Sequence, residues 1–246
     1  MVFENNNKSL AVQGACVGER FLARDKINPA VRPPQSRCLG EEIGRLVESA
    51  EPSEIAEEDQ LRASWYRLLA RLLAAPPDAA LLQQFAALKS DGSRFGDALA
   101  ALAAAAHGTS IESVTQEYFD LFIGIGQAEL VPYGSYYLTG FLHEKPLAKL
   151  RGDMARLGIG RAEGVAESED HIAAVCEMMA GLITGGFGEP AELEVQHAFF
   201  QEHIGCWAPR FFEDLEAARG AAFYMPVGTI GRLFMAVESQ AFDMAA

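Results

Sequence analysis

The sequence predicts an all-α protein: a single helical-bundle domain of about nine or ten helices, preceded by a loosely structured N-terminal extension. Three observations carry that expectation. From Pro52-Ser53 onward apolar residues recur at helical spacing, with capping residues before the runs and glycine or proline after them. No stretch alternates as a half-buried strand would, and no repeat interrupts the pattern. Half of the 246 residues are hydrophobic, enough for a full core.

The elements follow in order. Residues 1–50 hold Asn5-Asn6-Asn7, Pro29 and Pro33-Pro34 without a sustained period, so they form an extension, with short helical pieces at Leu10–Val17 and Glu41–Val47. The helical domain is expected over 51–246. Glu54, Glu57, Glu58 and Asp59 suit a helix N-terminus; Leu61, Trp65, Leu68, Leu69, Leu72 and Leu73 give that helix its apolar face, and Pro76-Pro77 stops it. Asp78 caps the next helix, which carries Leu81, Leu82, Phe85 and Leu88. Asp97–Ala106 is alanine-rich and strongly helix-forming. Thr109 or Ser110 caps a helix bearing Ile111, Val114, Tyr118 and Phe122.

After an aromatic loop, Leu147, Leu150, Met154 and Leu157 mark a helix that ends at Gly158-Ile159-Gly160 in a flexible link reaching Gly164. Ser168 caps a helix whose first turn holds Glu169 and Asp170 and whose face runs from Ile172 to Ile183. Leu193, Phe200 and Ile204 define the next. Pro209 interrupts or restarts it, and Phe211, Phe212 and Leu215 continue the apolar face. Pro226 fits the first turn of a last helix with Ile230, Leu233, Phe234 and Val237.

Charge and cysteines narrow the function classes. Twenty Lys and Arg against 34 Asp and Glu give a formal charge of −14, which argues against nucleic acid and anionic membranes and favours a cationic partner. Cys16, Cys38, Cys176 and Cys206 are far apart and form no Cys-x-x-Cys, so a zinc or thioredoxin-type site is unsupported; Cys176 and Cys206 read as small buried hydrophobes. The N-terminus lacks the basic-then-apolar order of a secretory signal, and no apolar run is long enough for a bilayer. The expected address is the cytoplasm, without membrane insertion.

The segment Tyr118–Tyr137 is the most informative. A helical face passes through Tyr118 and Phe122 into a Gly124/Gly126 break, then Glu129, then Pro132-Tyr133-Gly134-Ser135-Tyr136-Tyr137. Phenols and a hydroxyl beside apolar ring bodies suit a surface that grips peptide. The competing reading has these rings plugging the core beneath a loop. Catalytic constellations are missing: no phosphate-binding loop, no nucleophile elbow, and Asp170 and His171, adjacent on a helix, point about 100° apart. Glu194 and His197 form one Glu-x-x-His where a di-iron bundle needs two, so neither metal nor cofactor is expected, and a helical metalloprotein enzyme using that pair is the alternative.

Three blocks together resemble a known family: Tyr118–Phe122 with Gly124 leading to Pro132–Tyr136, Glu167–Ile172, and His203–Phe211. The chain is similar, over roughly residues 60–240, to the TorD/DmsD/NarJ family of redox-enzyme maturation chaperones. The resemblance implies an all-helical, non-enzymatic cytoplasmic chaperone. Its partner would be a molybdopterin oxidoreductase precursor, bound through its twin-arginine signal peptide, its apoenzyme, or both, before export. It places Tyr118, Phe122, Pro132, Ser135, Tyr136, Asp170 and His171 at positions tied to peptide binding or its hinge. On physical grounds Glu129, Glu167 and Asp170 suit the guanidinium groups, while Phe122, Tyr133 and Tyr136 suit the apolar stretch. One departure concerns Glu167-Ser168, where the family usually has Glu-Pro. The Gly158–Gly164 link offers a route to a homodimer by exchange of halves, or is a plain surface loop. A generic helical adaptor using the aromatic loop is the third reading.

Overall fold

The computed structural model describes residues 20–23, 55–124 and 128–245. Apart from Arg20–Ala23, the expected extension lies outside the described residues, as do its helical pieces, Cys16, Cys38 and Gly126. Among the described residues there are ten α-helices and one two-stranded ribbon.

Helix α1 (Glu57–Ala74) opens on Glu57, Glu58 and Asp59, which complement the positive end of its dipole. Asp78 accepts from the Leu81 amide to start α2 (Ala79–Ala86), Ser93 from Gly96 to start α3 (Arg94–His107), and Ser110 from Ser113 to start α4 (Ile111–Tyr118). The chain then widens into a π-turn over Phe119–Ile123, closed by the Gly124 amide donating to the Phe119 carbonyl at 2.7 Å. Helices α5 (Gly134–Thr139), α6 (Lys145–Arg156) and α7 (Ile172–Thr184) follow. Then come α8 (Leu193–Phe200), a second π-turn over Gln201–Gly205, α9 (Ala208–Ala217) and α10 (Tyr224–Ala245).

Helix α7 is the centre of the bundle. Ten of its 13 residues are buried, so it is apolar nearly all round, and its main partner is α1. Helices α9 and α10 form the second tight pair, where a Cβ on Gly231 would stand 2.2 Å from the Phe212 ring. A polar staple joins three helices. Arg62 of α1 grips Glu238 of α10 through two nitrogens at 2.9 and 3.0 Å, and also reaches Gln196 of α8 at 3.1 Å. Tyr66 adds its hydroxyl to the same carboxylate at 3.0 Å. Glu238 is 1% exposed, so this is a buried charge whose lone pairs are filled.

The structure corrects several expectations. A strand does form: β1 (Phe21–Ala23) pairs antiparallel with β2 (Ile159–Arg161), inside the segment expected to be a flexible link. Three residues are too few for an alternating pattern to register, and the pairing partner lies far away in sequence. The aromatic loop contains a helix, α5. Helix α7 begins at Ile172 rather than behind Ser168, because His171 is the cap: its Nδ1 accepts from the Ala173 amide at 3.1 Å. Leu61, Leu193 and Val237, read as core, are exposed. Cys206 is exposed too, whereas Cys176 is buried as expected.

Candidate functional site

Helix α5 has six residues and no side-chain cap of its own. An isolated helix of that length is unstable in water, so neighbouring segments must hold it. The first is the turn before α7. Gly134 and Ser135 direct their amides at Asp170, the former to its carbonyl at 2.9 Å and the latter to Oδ2 at 2.8 Å. The Ile172 amide returns to the Pro132 carbonyl at 2.9 Å, which gives a one-residue antiparallel bridge between Tyr133 and His171. Asp170 therefore caps α5 from another part of the sequence. Its other oxygen accepts from the Ser168 hydroxyl at 2.6 Å, and the group is 4% exposed.

The second support is the tryptophan segment. Trp207 donates its indole N–H to the His203 carbonyl at 2.8 Å and lies against Gly134, where a Cβ would come within 3.0 Å of Nε1. Only glycine leaves room for that approach. Tyr137 packs on Trp207 and Phe211 with centroids 5.6 and 5.9 Å away, and donates to Asp214 at 3.2 Å. Burial, then Asp214, push its phenol above the ordinary value. Parts of the three sequence blocks, Pro132–Tyr136, Ser168–Ile172 and His203–Phe211, thus meet around one short helix.

That anchoring leaves several apolar side chains in solvent. Tyr136 (40%), Leu138 (43%), Phe141 (70%) and Leu142 (45%) are exposed on α5 and the turn that follows. Phe119 and Ile123 of the π-turn are exposed as well. Leu138, Phe141 and Leu142 were not singled out from sequence; Phe141-Leu142 in a polar turn before His143-Glu144 was the available signal.

The charges around α5 are largely used internally. Glu167, exposed, accepts from the Tyr133 hydroxyl at 2.6 Å and the Ser168 amide at 3.2 Å. Burial and that contact raise the Tyr133 phenol. Burial works against ionisation of Glu169, but Arg151 at 2.7 Å and Arg161 at 3.8 Å outweigh it and hold the carboxyl below its ordinary value. His171 sits 5.1 Å from the Tyr133 ring, edge-on, and burial lowers it to about 4. Its Nδ1, accepting an amide, is the unprotonated nitrogen of a neutral ring.

Other expected site residues are elsewhere. Tyr118 and Phe122 are buried in a ring cluster with Tyr224, with Tyr118–Phe122 at 5.1 Å and Phe122–Tyr224 at 5.4 Å, and the Tyr118 hydroxyl donates to the Leu73 carbonyl. Glu129 accepts from the Arg219 and Gly220 amides at 2.7 and 3.0 Å. With Glu117, which takes the amides of Ala222, Phe223 and Tyr224, it secures the entry to α10. The structure brings Pro132, Tyr133, Ser135, Tyr136, Glu167, Asp170 and His171 together, while Tyr118 and Phe122 belong to the ring cluster with Tyr224 and Glu129 to the entry of α10. His197 stacks on Phe242 at 4.9 Å, and no three His, Cys, Asp or Glu among the described residues are placed to hold a metal. No described helix is long and apolar enough to cross a membrane.

Comparison with known proteins gives the class to which this all-α bundle belongs. The family model for the nitrate reductase delta subunit matches residues 88–213. The Tat proofreading chaperone DmsD of Salmonella typhi is 31% identical over 142 residues, which is 57% of this chain and 67% of that protein. Chaperone protein TorD of Aliivibrio fischeri is 28% identical over 108 residues, covering 41% of this chain and 50% of TorD. A crystal structure described as a redox enzyme maturation protein from Archaeoglobus fulgidus aligns over 77% of this chain and 99% of that one, at TM-score 0.45 and 19% identity. The chain belongs to the TorD/DmsD/NarJ family. It spans about half the length of the first TorD relatives it matches.

Proposed function

We propose that this chain is a non-enzymatic maturation chaperone that binds the precursor of a molybdopterin oxidoreductase and holds it until cofactor insertion is complete. The observation that carries the reading is the clasp: Asp170 fixes α5 so that Tyr136, Leu138, Phe141 and Leu142 stay in solvent instead of closing over the core. A protein that invests a buried carboxylate in presenting apolar surface is built to bind an apolar polypeptide. Membership of a family whose relatives include named chaperones supports the same conclusion.

The bound element is the twin-arginine signal peptide, the apoenzyme, or both in turn, and the compartment is the cytoplasm. Glu167, exposed at the edge of the clasp, is the carboxylate best placed for a guanidinium, with Asp170 acting as the anchor behind it. Apolar burial should supply most of the affinity, because an exposed ion pair contributes about 1 kcal/mol or less. The reading includes a homodimer formed by exchange across residues 158–164, which light scattering would register as a doubled mass.

The test is co-purification with twin-arginine precursors of molybdopterin oxidoreductases from the same genome. Retention of a precursor by the wild-type chain, lost in Phe141→Ser/Leu142→Ser, is the expected result. No retention of any precursor or apoenzyme would remove the function.

A further inference from the structure

The ribbon β1–β2 joins two parts of the chain that the bundle does not require to meet. Residues 24–54 separate Ala23 from the first described residue of the helical domain. Yet Phe21, Leu22 and Ala23 pair in register with Arg161, Gly160 and Ile159, and the Ala162 amide donates to the Arg20 carbonyl at 2.8 Å. Phe21 is 6% exposed and joins the main core, beside a strand whose Ile159 is 2% exposed.

Arg20 enters the protein as a charge. Its side chain is only 15% exposed, and its Nε lies 3.5 Å from Oε1 of Glu177 on α7. The second oxygen of that carboxylate, Oε2, is buried and has no hydrogen-bond partner among the described residues. Glu177 thus keeps a second acceptor that Arg20 does not use, where a guanidinium can bind a carboxylate through both oxygens. Burial, offset by Arg20, pushes the Glu177 carboxyl up to about 7. Arg20 is also close enough to act electrostatically on Tyr118 and His171, so the segment lies against the candidate site.

An extended segment that adds a strand to a sheet edge, inserts an aromatic side chain and presents an arginine to a half-buried carboxylate is bound as a ligand is bound. Main-chain hydrogen bonds supply affinity, and the side-chain pockets supply selectivity. We propose that the Ile159–Arg161 edge and Glu177 form a groove for an extended peptide in which arginine is followed by aromatic and aliphatic residues, and that the chain's own Arg20–Ala23 fills this groove in cis. The groove deepens the chaperone reading and rests on it for its biological ligand: a client segment of that pattern must displace Arg20–Ala23. A tethered segment competes at an effective concentration on the order of 1 mM, so it rejects weak ligands and yields to strong ones.

The test uses the full chain and a fluorescein-labelled peptide of residues 18–25, GERFLARD, followed by anisotropy. The wild-type chain should bind it weakly, and Arg20→Ala/Phe21→Ala should bind it about tenfold tighter or more, since the cis competitor is gone. Adding Glu177→Gln to that variant should abolish the gain. Equal binding by wild type and the released variant, or a gain that survives Glu177→Gln, overturns the proposal. If the double variant loses its helical circular dichroism, Arg20→Ala alone must show a gain of the same sign, and its absence also overturns it. A labelled twin-arginine leader run in parallel separates the two readings. Binding of GERFLARD by the released variant with no leader bound keeps the groove and removes the chaperone role; the reverse removes the groove alone.

Discussion

The Ser135 amide donates to Oδ2 of Asp170 at 2.8 Å, so a carboxylate 35 residues further along the chain caps the short helix that carries the exposed Tyr136 and Leu138. Caps are normally local. Placing this one on the turn before α7 ties the presenting surface to the most buried helix of the bundle.

Asp170→Ala leaves the Ser135 amide and the Ser168 hydroxyl without their acceptor in a buried setting. Urea unfolding should show a loss of about 2–3 kcal/mol, with Asp170→Asn losing about half because one acceptor oxygen survives. Amides of Gly134–Thr139 should exchange faster in both variants. Unchanged exchange there would mean that α5 is held by something other than Asp170.

Phe141→Ser and Leu142→Ser touch residues that are 70% and 45% exposed. Stability should stay within about 0.5 kcal/mol of wild type, as for surface substitutions generally. Any change in precursor binding is then a surface effect. A large drop in the urea midpoint would show that these side chains pack rather than present.

Glu238→Ala leaves the buried Tyr66 hydroxyl without its acceptor and reduces the Arg62 guanidinium to Asp59 at 2.7 Å and Gln196 at 3.1 Å, at the junction of α1, α8 and α10. Breaking one side of a buried pair costs up to about 3–5 kcal/mol where the charge left behind has no other partner; with Asp59 retained the loss should be about 3 kcal/mol, still more than an exposed bridge gives. The thermal midpoint should fall accordingly, whereas Arg210→Ala, an exposed side chain whose partners Glu213 and Asp214 lie on the same helix, should barely move it.

Acid sensitivity follows from His171. Burial holds its imidazole near 4 in the folded chain, with Glu167 and Asp170 opposing that shift and Arg20 adding to it. The unfolded ring titrates near 6.5, so between about pH 4 and 6.5 the unfolded chain binds the extra proton. Stability from this residue is complete above about pH 6.5 and is lost as pH falls toward 4. Glu177, raised to about 7, contributes the opposite slope, so the comparison must be made within one background. His171→Asn should lose about 2 kcal/mol of the wild-type change between pH 6.5 and 4.5. Parallel pH profiles for the two proteins would contradict the assignment.

The helices were legible in the sequence because their signals are local. Asp78 and Ser110 cap the helices they were expected to cap, whereas the cap expected of Ser168 is supplied by His171, three residues on. What sequence could not show is contact at long range. Helix α5 exists through Asp170 and Trp207, the β1 strand exists through Ile159–Arg161, and neither partner can be read from the segment it stabilises. Glu129 illustrates the same point for the site: its ligands are the backbone amides of Arg219 and Gly220, which carry no sequence signature. Among the candidate residues, chemistry-bearing types were recognisable, but whether a carboxylate faces inward, as Asp170 does, or outward, as Glu167 does, is decided by packing.

The most direct test is an anisotropy titration of labelled twin-arginine leader peptides from molybdopterin oxidoreductases of the same genome. Wild type is compared with Phe141→Ser/Leu142→Ser, and both are checked for equal stability. The account predicts saturable binding of at least one leader by wild type and a loss of about tenfold or more in the variant, as expected when two apolar anchors leave an interface. Equal affinity in two equally stable proteins would contradict it.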